Sequence, residues 1–120
     1  MEGLEALAAR TTAPLPEGSP ALPPDEERTL LATLGNGWTV VGNRLRKAYA
    51  FTNFATALGF VNQVGTIADT ADHHPDVALG WGRAGIELWT HTVGGLSEND
   101  FIVAARIEMA AHGAEGLKGV

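Results

Sequence analysis

The chain of 120 residues contains no cysteine. Disulfides, thiolate metal sites and cysteine nucleophiles are thereby excluded. Basic residues are also few. Eight Lys and Arg stand against fourteen Asp and Glu, giving a formal net charge of −6 and a pI near 5.0. Apart from Arg44, Arg46 and Lys47 they are scattered. This argues against the electrostatic footprint of a nucleic-acid or anionic-membrane binder. No apolar run approaches the roughly 20 residues that span a bilayer. Residues 1–10 lack the basic segment that precedes the apolar stretch of a signal peptide. The expectation is a soluble cytoplasmic protein. An apolar fraction of 45% is enough for one core, and the length fits one domain.

Residues 1–24 differ from the rest. Pro14, Pro16, Pro20, Pro23 and Pro24 crowd this stretch, with Gly18 and Ser19 among them. Each proline removes a backbone donor and restricts φ, so the segment reads as an extended, flexible or loosely docked arm. Leu4, Leu7 and Ala8 have the spacing of a short helical turn before it. The globular domain is expected over 25–120.

From Asp25 the pattern becomes regular. Asp25, Glu26 and Glu27 put acid in a first helical turn, and Leu30, Leu31 and Leu34 form an apolar stripe that Gly35 and Gly37 end. Residues 38–41 read as a strand and Gly42-Asn43 as a hairpin turn. Leu45, Lys47, Tyr49 and Phe51 then alternate with Arg46, Ala48 and Ala50, the period of a strand. Asn53 is a good N-cap for a long helix whose apolar face is read as Phe54, Leu58, Val61, Val64 or Gly65, and Ala68. Residues 77–81 and 83–91 read as two strands around Gly82. In the second, Ala84, Ile86, Leu88 and Thr90 face one side, and Gly85, Glu87, Trp89 and His91 the other. A near capping box, Ser97-Glu98-Asn99-Asp100, opens a last helix to about His112, with Phe101, Ile102, Ala105 and Met109 toward the core. The order is helix, two strands, helix, two strands, helix. The fold class is α+β: a four-stranded antiparallel sheet with three helices on one face, leaving the other face for a ligand or partner.

Chemistry concentrates at Asp69-Thr70-Ala71-Asp72-His73-His74-Pro75. The unperturbed pKa of histidine, about 6.5, suits it to proton transfer near neutral pH. Pro75 ends the helix by forcing the residue before it from the α region. Adjacent side chains diverge on a helix or a strand, but at a turning helix end both rings can reach one cleft. The plainer reading is a pair of exposed histidines complementing the helix dipole. A metal reading uses Asp69 and His73, four apart on one helical face, with His91 as third ligand, although no known metal-binding spacing is present. By itself, His91 is an ordinary strand-end residue. Asp100 serves as a helix cap, Trp81 and Trp89 as strand aromatics, and Trp38 as core.

Taken together these residues resemble the pterin-4a-carbinolamine dehydratase family, also known as dimerisation cofactors of a homeodomain transcription factor. The resemblance rests on Asp69, His73, His74, Pro75, Trp81, His91 and Asp100 at their spacings. Gly37-Trp38, the alternation over 45–51, and Phe54, Ala57 and Phe60 support it. It covers residues 25–110. Asp69 departs from the more common glutamate, Pro23-Pro24 from the usual cap, and the arm is longer than most.

The resemblance implies elimination of water from a 4a-hydroxytetrahydropterin, giving the quinonoid dihydropterin, in tetrahydrobiopterin recycling. It needs no metal or other cofactor. His73 and His91 are then assigned to proton transfer and His74 to substrate positioning and base catalysis. Asp69 and Asp72 are acceptors for the imidazoles, Trp38 is an aromatic wall, and Asp100 orients His91 or its loop. The same resemblance implies a homodimer or homotetramer, and a link to an aromatic amino acid hydroxylase pathway. The alternative is a non-catalytic binding or assembly module on the same fold.

Overall fold

Gly42 and Asn43 both adopt positive φ, 58° and 61°. That is the geometry of the two-residue turn whose twist matches its flanking strands. It joins β1 (Thr39–Val41) to β2 (Arg44–Phe51) in antiparallel register, Val41 opposite Arg44. The computed structural model describes residues 3–119. Its other elements are α1 (Gly3–Ala8), α2 (Pro24–Leu34), α3 (Phe54–Ala71), β3 (Asp76–Gly80), β4 (Arg83–Leu88), a 3-10 turn (His91–Val93), α4 (Glu98–His112) and β5 (Leu117–Lys118).

The architecture is α+β with an antiparallel sheet, as expected, and the strands lie in the order β1-β2-β4-β3. Two short terminal elements add to it. Helix α1 precedes the domain, and β5 pairs with the end of β2 as a fifth strand. Helix α1 forms where Leu4, Leu7 and Ala8 have helical spacing, whereas β5, two residues long, offers too few for a periodic signal. Gly82, φ 95°, makes the turn between β3 and β4. A Cβ there would stand 2.8 Å from the Phe51 carbonyl oxygen, so glycine is required.

One sheet face is apolar. Leu45, Tyr49 and Phe51 of β2 and Ala84, Ile86 and Leu88 of β4 are buried, together with Phe60 and Val64 of α3 and Phe101 and Ile102 of α4. The alternate residues of β4 carry the open face, where Arg44 and Arg46 bridge Glu87 at 3.0 and 2.9 Å. Two helix faces differ from the sequence reading. In α3 the buried set is Ala57, Phe60, Val64, Ala68 and Ala71, while Phe54 and Leu58 are exposed. The helix is apolar on more than one side, and periodicity alone does not say which side meets the sheet. In α4, Met109 is exposed and Glu108 is buried instead.

Glu108 stays buried because donors surround it. Its Oε1 accepts from Trp38 Nε1 (2.9 Å), Lys47 Nζ (2.8 Å) and Tyr49 OH (2.6 Å). His112 Nε2 lies 2.7 Å from Oε2. Burial alone would raise the carboxyl pKa, but the bonds from Lys47, Tyr49 and Trp38 outweigh it and hold the group below its ordinary value. Burial, reinforced by the bond to Glu108, drives the Tyr49 phenol well above its own.

Residues 9–23 have no regular helix or strand, as their prolines dictate. They are nevertheless fastened along their length. Arg106 donates to the Ala8 and Arg10 carbonyls at 2.9 and 2.6 Å. Gly18 N–H reaches Thr92 O (3.0 Å) and Leu22 N–H reaches Leu96 O (2.9 Å). Leu7 of α1 is buried in the same core as the sheet. The segment read as an arm therefore shares the domain's core and its hydrogen bonds.

Candidate active site

Helix α3 stops where the backbone turns left-handed at Asp72, φ 53° and ψ 44°. Asp72 N–H bonds back to Asp69 O at 3.3 Å and His73 N–H to Ala68 O at 3.1 Å, satisfying carbonyls of the last turn. Pro75 then leads into β3. The turn separates the directions of the two histidines without separating them in space.

His73, His74 and His91 line one cavity of about 700 Å³, within the range that holds small molecules. Asp72, Trp89, Thr90 and Asn99 also line it, as do residues 12–15. His91 arrives from β4 by way of Thr90, whose backbone pairs with Gly95 across the 3-10 turn (Thr90 N–H to Gly95 O, 2.8 Å). The Trp89 and His91 ring centres lie 3.7 Å apart with the planes tilted by 39°, and the Arg44 guanidinium lies 4.0 Å from the Trp89 ring centre.

Asp100 organises the rear of this cavity. It is fully buried, at 0% exposure. Its Oδ2 accepts from Ser97 N–H (2.9 Å) at the start of α4 and from Thr90 Oγ1 (2.7 Å). Its Oδ1 lies 2.6 Å from His73 Nε2. The cap reading and the orienting reading of Asp100 thus describe one carboxylate, one oxygen to each task. The ring it meets is His73 rather than His91; among the described residues, Asp100 bonds Thr90, the neighbour of His91, and not His91 itself. A carboxylate accepts, so a neutral His73 carries its proton on Nε2 and its lone pair on Nδ1. Likewise Asp69 Oδ1 meets His74 Nε2 at 2.9 Å, but both side chains are largely exposed, where such a pair contributes little.

The remaining sequence candidates fall elsewhere. Trp38 is buried beside Glu108 and does not line the cavity. A Gly-rich approach to an aromatic does not reveal which side of the sheet the ring enters. Trp81 is 73% exposed at the β3–β4 turn, remote from the cavity lining. Asp69 and Pro75 stand just outside the lining, and the Asp72 carboxylate takes no histidine among the described residues as partner. Asp69 and His73 engage different partners. Among the described residues, no three His, Asp or Glu side chains group as metal ligands. Trp89, Thr90, Asn99 and residues 12–15 were not site candidates in the sequence. Only Trp89 had left a signal, sharing the open strand face with His91.

An α+β domain that brings a histidine pair and a sequence-distant histidine to one cavity, one ring backed by a buried carboxylate, has the class features of an acid–base site. Residues 20–110 match the family model described as pterin 4 alpha carbinolamine dehydratase, and the chain belongs to that family. A Nitrosomonas eutropha relative is 41% identical over 103 residues, covering 86% of this chain and 91% of its own. One from Rubrobacter xylanophilus is 44% identical over 103 residues, covering 85% and 95%. Both are provisionally named pterin-4-alpha-carbinolamine dehydratases. The crystal structure of a transcriptional coactivator/pterin dehydratase from Brucella melitensis superposes with a TM-score of 0.71 at 29% identity, covering 75% of this chain and 97% of that one. A pterin dehydratase-like RuBisCO assembly factor of the α-carboxysome shares the fold, with a TM-score of 0.55 at 24% identity. Among the described residues, no helix is long and apolar enough to cross a membrane.

Proposed function

We propose that this chain dehydrates a 4a-hydroxytetrahydropterin to the quinonoid dihydropterin by histidine acid–base catalysis. The observation that carries the reading is the convergence of His73, His74 and His91 on one cavity, with Asp100 behind His73. The reaction breaks the C4a–O bond. A base takes the N5 proton, the N5 electron pair closes the C4a=N5 double bond, and an acid delivers a proton to the departing hydroxyl, which leaves as water. His73 suits the base. Its Nε2–H is committed to Asp100, which leaves Nδ1 as the lone pair, and the imidazolium formed would sit 2.6 Å from a carboxylate. His91, packed against Trp89, suits the acid, and His74 the positioning of substrate. The reading places the chain in recycling of a reduced pterin, and carries with it self-association as a dimer or tetramer.

A second reading, a binding or assembly module, has support in the coactivator named with the Brucella relative. Stopped-flow dehydration of 4a-hydroxytetrahydropterin separates the two. The enzyme reading expects acceleration over the spontaneous reaction that EDTA does not reduce. No acceleration would leave the module reading, and EDTA sensitivity would revive a metal.

A further inference from the structure

Residues 12–15 line the same cavity as the three histidines and lie outside the 20–110 stretch matched by the family model. This segment has no strand or helix to hold it, yet three bonds fix it at the cavity rim. Thr12 Oγ1 donates to the Ala71 carbonyl at 3.2 Å, on the last residue of α3. Asn99 Oδ1 accepts from Ala13 N–H at 3.1 Å, and Asn99 Nδ2 donates to Ala13 O at 2.7 Å. One side chain thereby satisfies both backbone groups of one arm residue, as a neighbouring strand would. Only a primary amide of this length offers donor and acceptor together in that geometry. Asn99 also lines the cavity itself and directly precedes Asp100, in the rigid first turn of α4.

We propose that residues 12–15 form a substrate-contacting wall of the histidine cavity, and that Asn99 is the positioning residue that holds this wall in place. The inference rests on the pterin reading for the identity of the ligand. A bound pterin lies between the histidines and the arm, so loosening the arm weakens binding while leaving proton transfer at His73 and His91 intact. Thr12 and Ala13 both belong to the wall, and the Asn99 pair supplies two of its three bonds, both at Ala13.

The test uses the full chain and two variants. Asn99→Ala removes both bonds to Ala13. Leu15→Asp changes the wall on the arm, away from the packed core. Binding of 7,8-dihydropterin, which has no hydroxyl to lose, is measured by calorimetry beside the kinetics of 4a-hydroxytetrahydropterin dehydration. Asn99→Ala is expected to raise Kd and KM together by about 3- to 10-fold, the scale of one or two neutral hydrogen bonds, with kcat within about twofold of wild type. Leu15→Asp is expected to raise both constants as well. Unchanged Kd and KM in two variants of native circular dichroism would overturn the proposal. So would a fall in kcat at constant KM in Asn99→Ala, since the asparagine would then act through Asp100. Wild-type binding of dihydropterin without dehydration would sink the enzyme reading alone, leaving the wall to be judged on Kd. Failure of wild type in both assays would sink both.

Discussion

Glu108 offers the most demanding test of the energetics. Glu108→Ala removes the acceptor of Trp38 Nε1 and Tyr49 OH, both on residues 4% exposed, while Lys47 keeps the Asn36 carbonyl. Two orphaned buried donors cost about 1–3 kcal/mol each. Breaking a buried ion pair from one side costs about 3–5 kcal/mol. These figures describe the same event, so they are not added, and they meet near 4 kcal/mol. For a domain of this size that lowers Tm by about 12–20 °C. Glu108→Gln keeps the shape and an acceptor oxygen but gives up the charge, so its loss is smaller, about 1–2 kcal/mol. Urea unfolding at pH 7 measures both. The pH dependence has a definite sign. The folded carboxyl sits below its ordinary value of 4.5, so between the folded and unfolded values the unfolded chain binds more protons. Stability from Glu108 is complete above about pH 4.5 and drains away as pH falls through the folded value. The Gln variant lacks this increment and should show a shallower acid slope than wild type. A loss below about 1 kcal/mol for Glu108→Ala, or acid slopes identical in wild type and Gln, would refute the reasoning.

Other expectations concern the cavity and its surroundings. His73→Ala and His91→Ala should each slow dehydration by about 10²- to 10⁴-fold while remaining folded; wild-type rates in both would discard the acid–base assignment. Asp100→Asn should lower kcat more than it raises KM, and urea unfolding should register about 1–3 kcal/mol from the bonds to Thr90 and Ser97. Trp38→Phe should reduce stability by about 1 kcal/mol through the lost bond to Glu108 without moving KM, whereas Trp89→Ala should raise KM. On the alkaline side, stability from Tyr49 is complete below its ordinary value of 10.0 and falls at higher pH, because the unfolded phenol ionises first; a Tyr49→Phe variant should lose that alkaline slope.

Much of the fold was legible because its signals are local. The alternation of β2 and β4, the Gly42-Asn43 turn, the Asn53 cap and the Pro75 stop each depend on a few neighbouring residues, and each appears where its chemistry puts it. Asn53 caps α3 by accepting from Thr56 N–H at 2.9 Å. The misread faces share a cause. Phe54 and Leu58 have the spacing of a buried stripe, and so do Ala57, Phe60 and Val64; only contact with the sheet selects between them. Met109 is more apolar than Glu108, yet burial went to the glutamate because Trp38 before β1 and Lys47 and Tyr49 of β2 supply its hydrogen bonds from distant parts of the chain.

The residues from Asp69 to Pro75 and the later Asp100 carry in their order a helix end, a histidine pair and a helix start, and local physics suffices for those. The strand read through His91 instead stops at Leu88, and His91 opens the 3-10 turn. That His73 rather than His91 takes Asp100, that Trp38 leaves the site for the core, and that residues 12–15 reach the cavity were decided by tertiary structure. Hydrogen bonds between residues 27, 70 or 86 positions apart depend on how whole elements pack, and no local pattern encodes that distance.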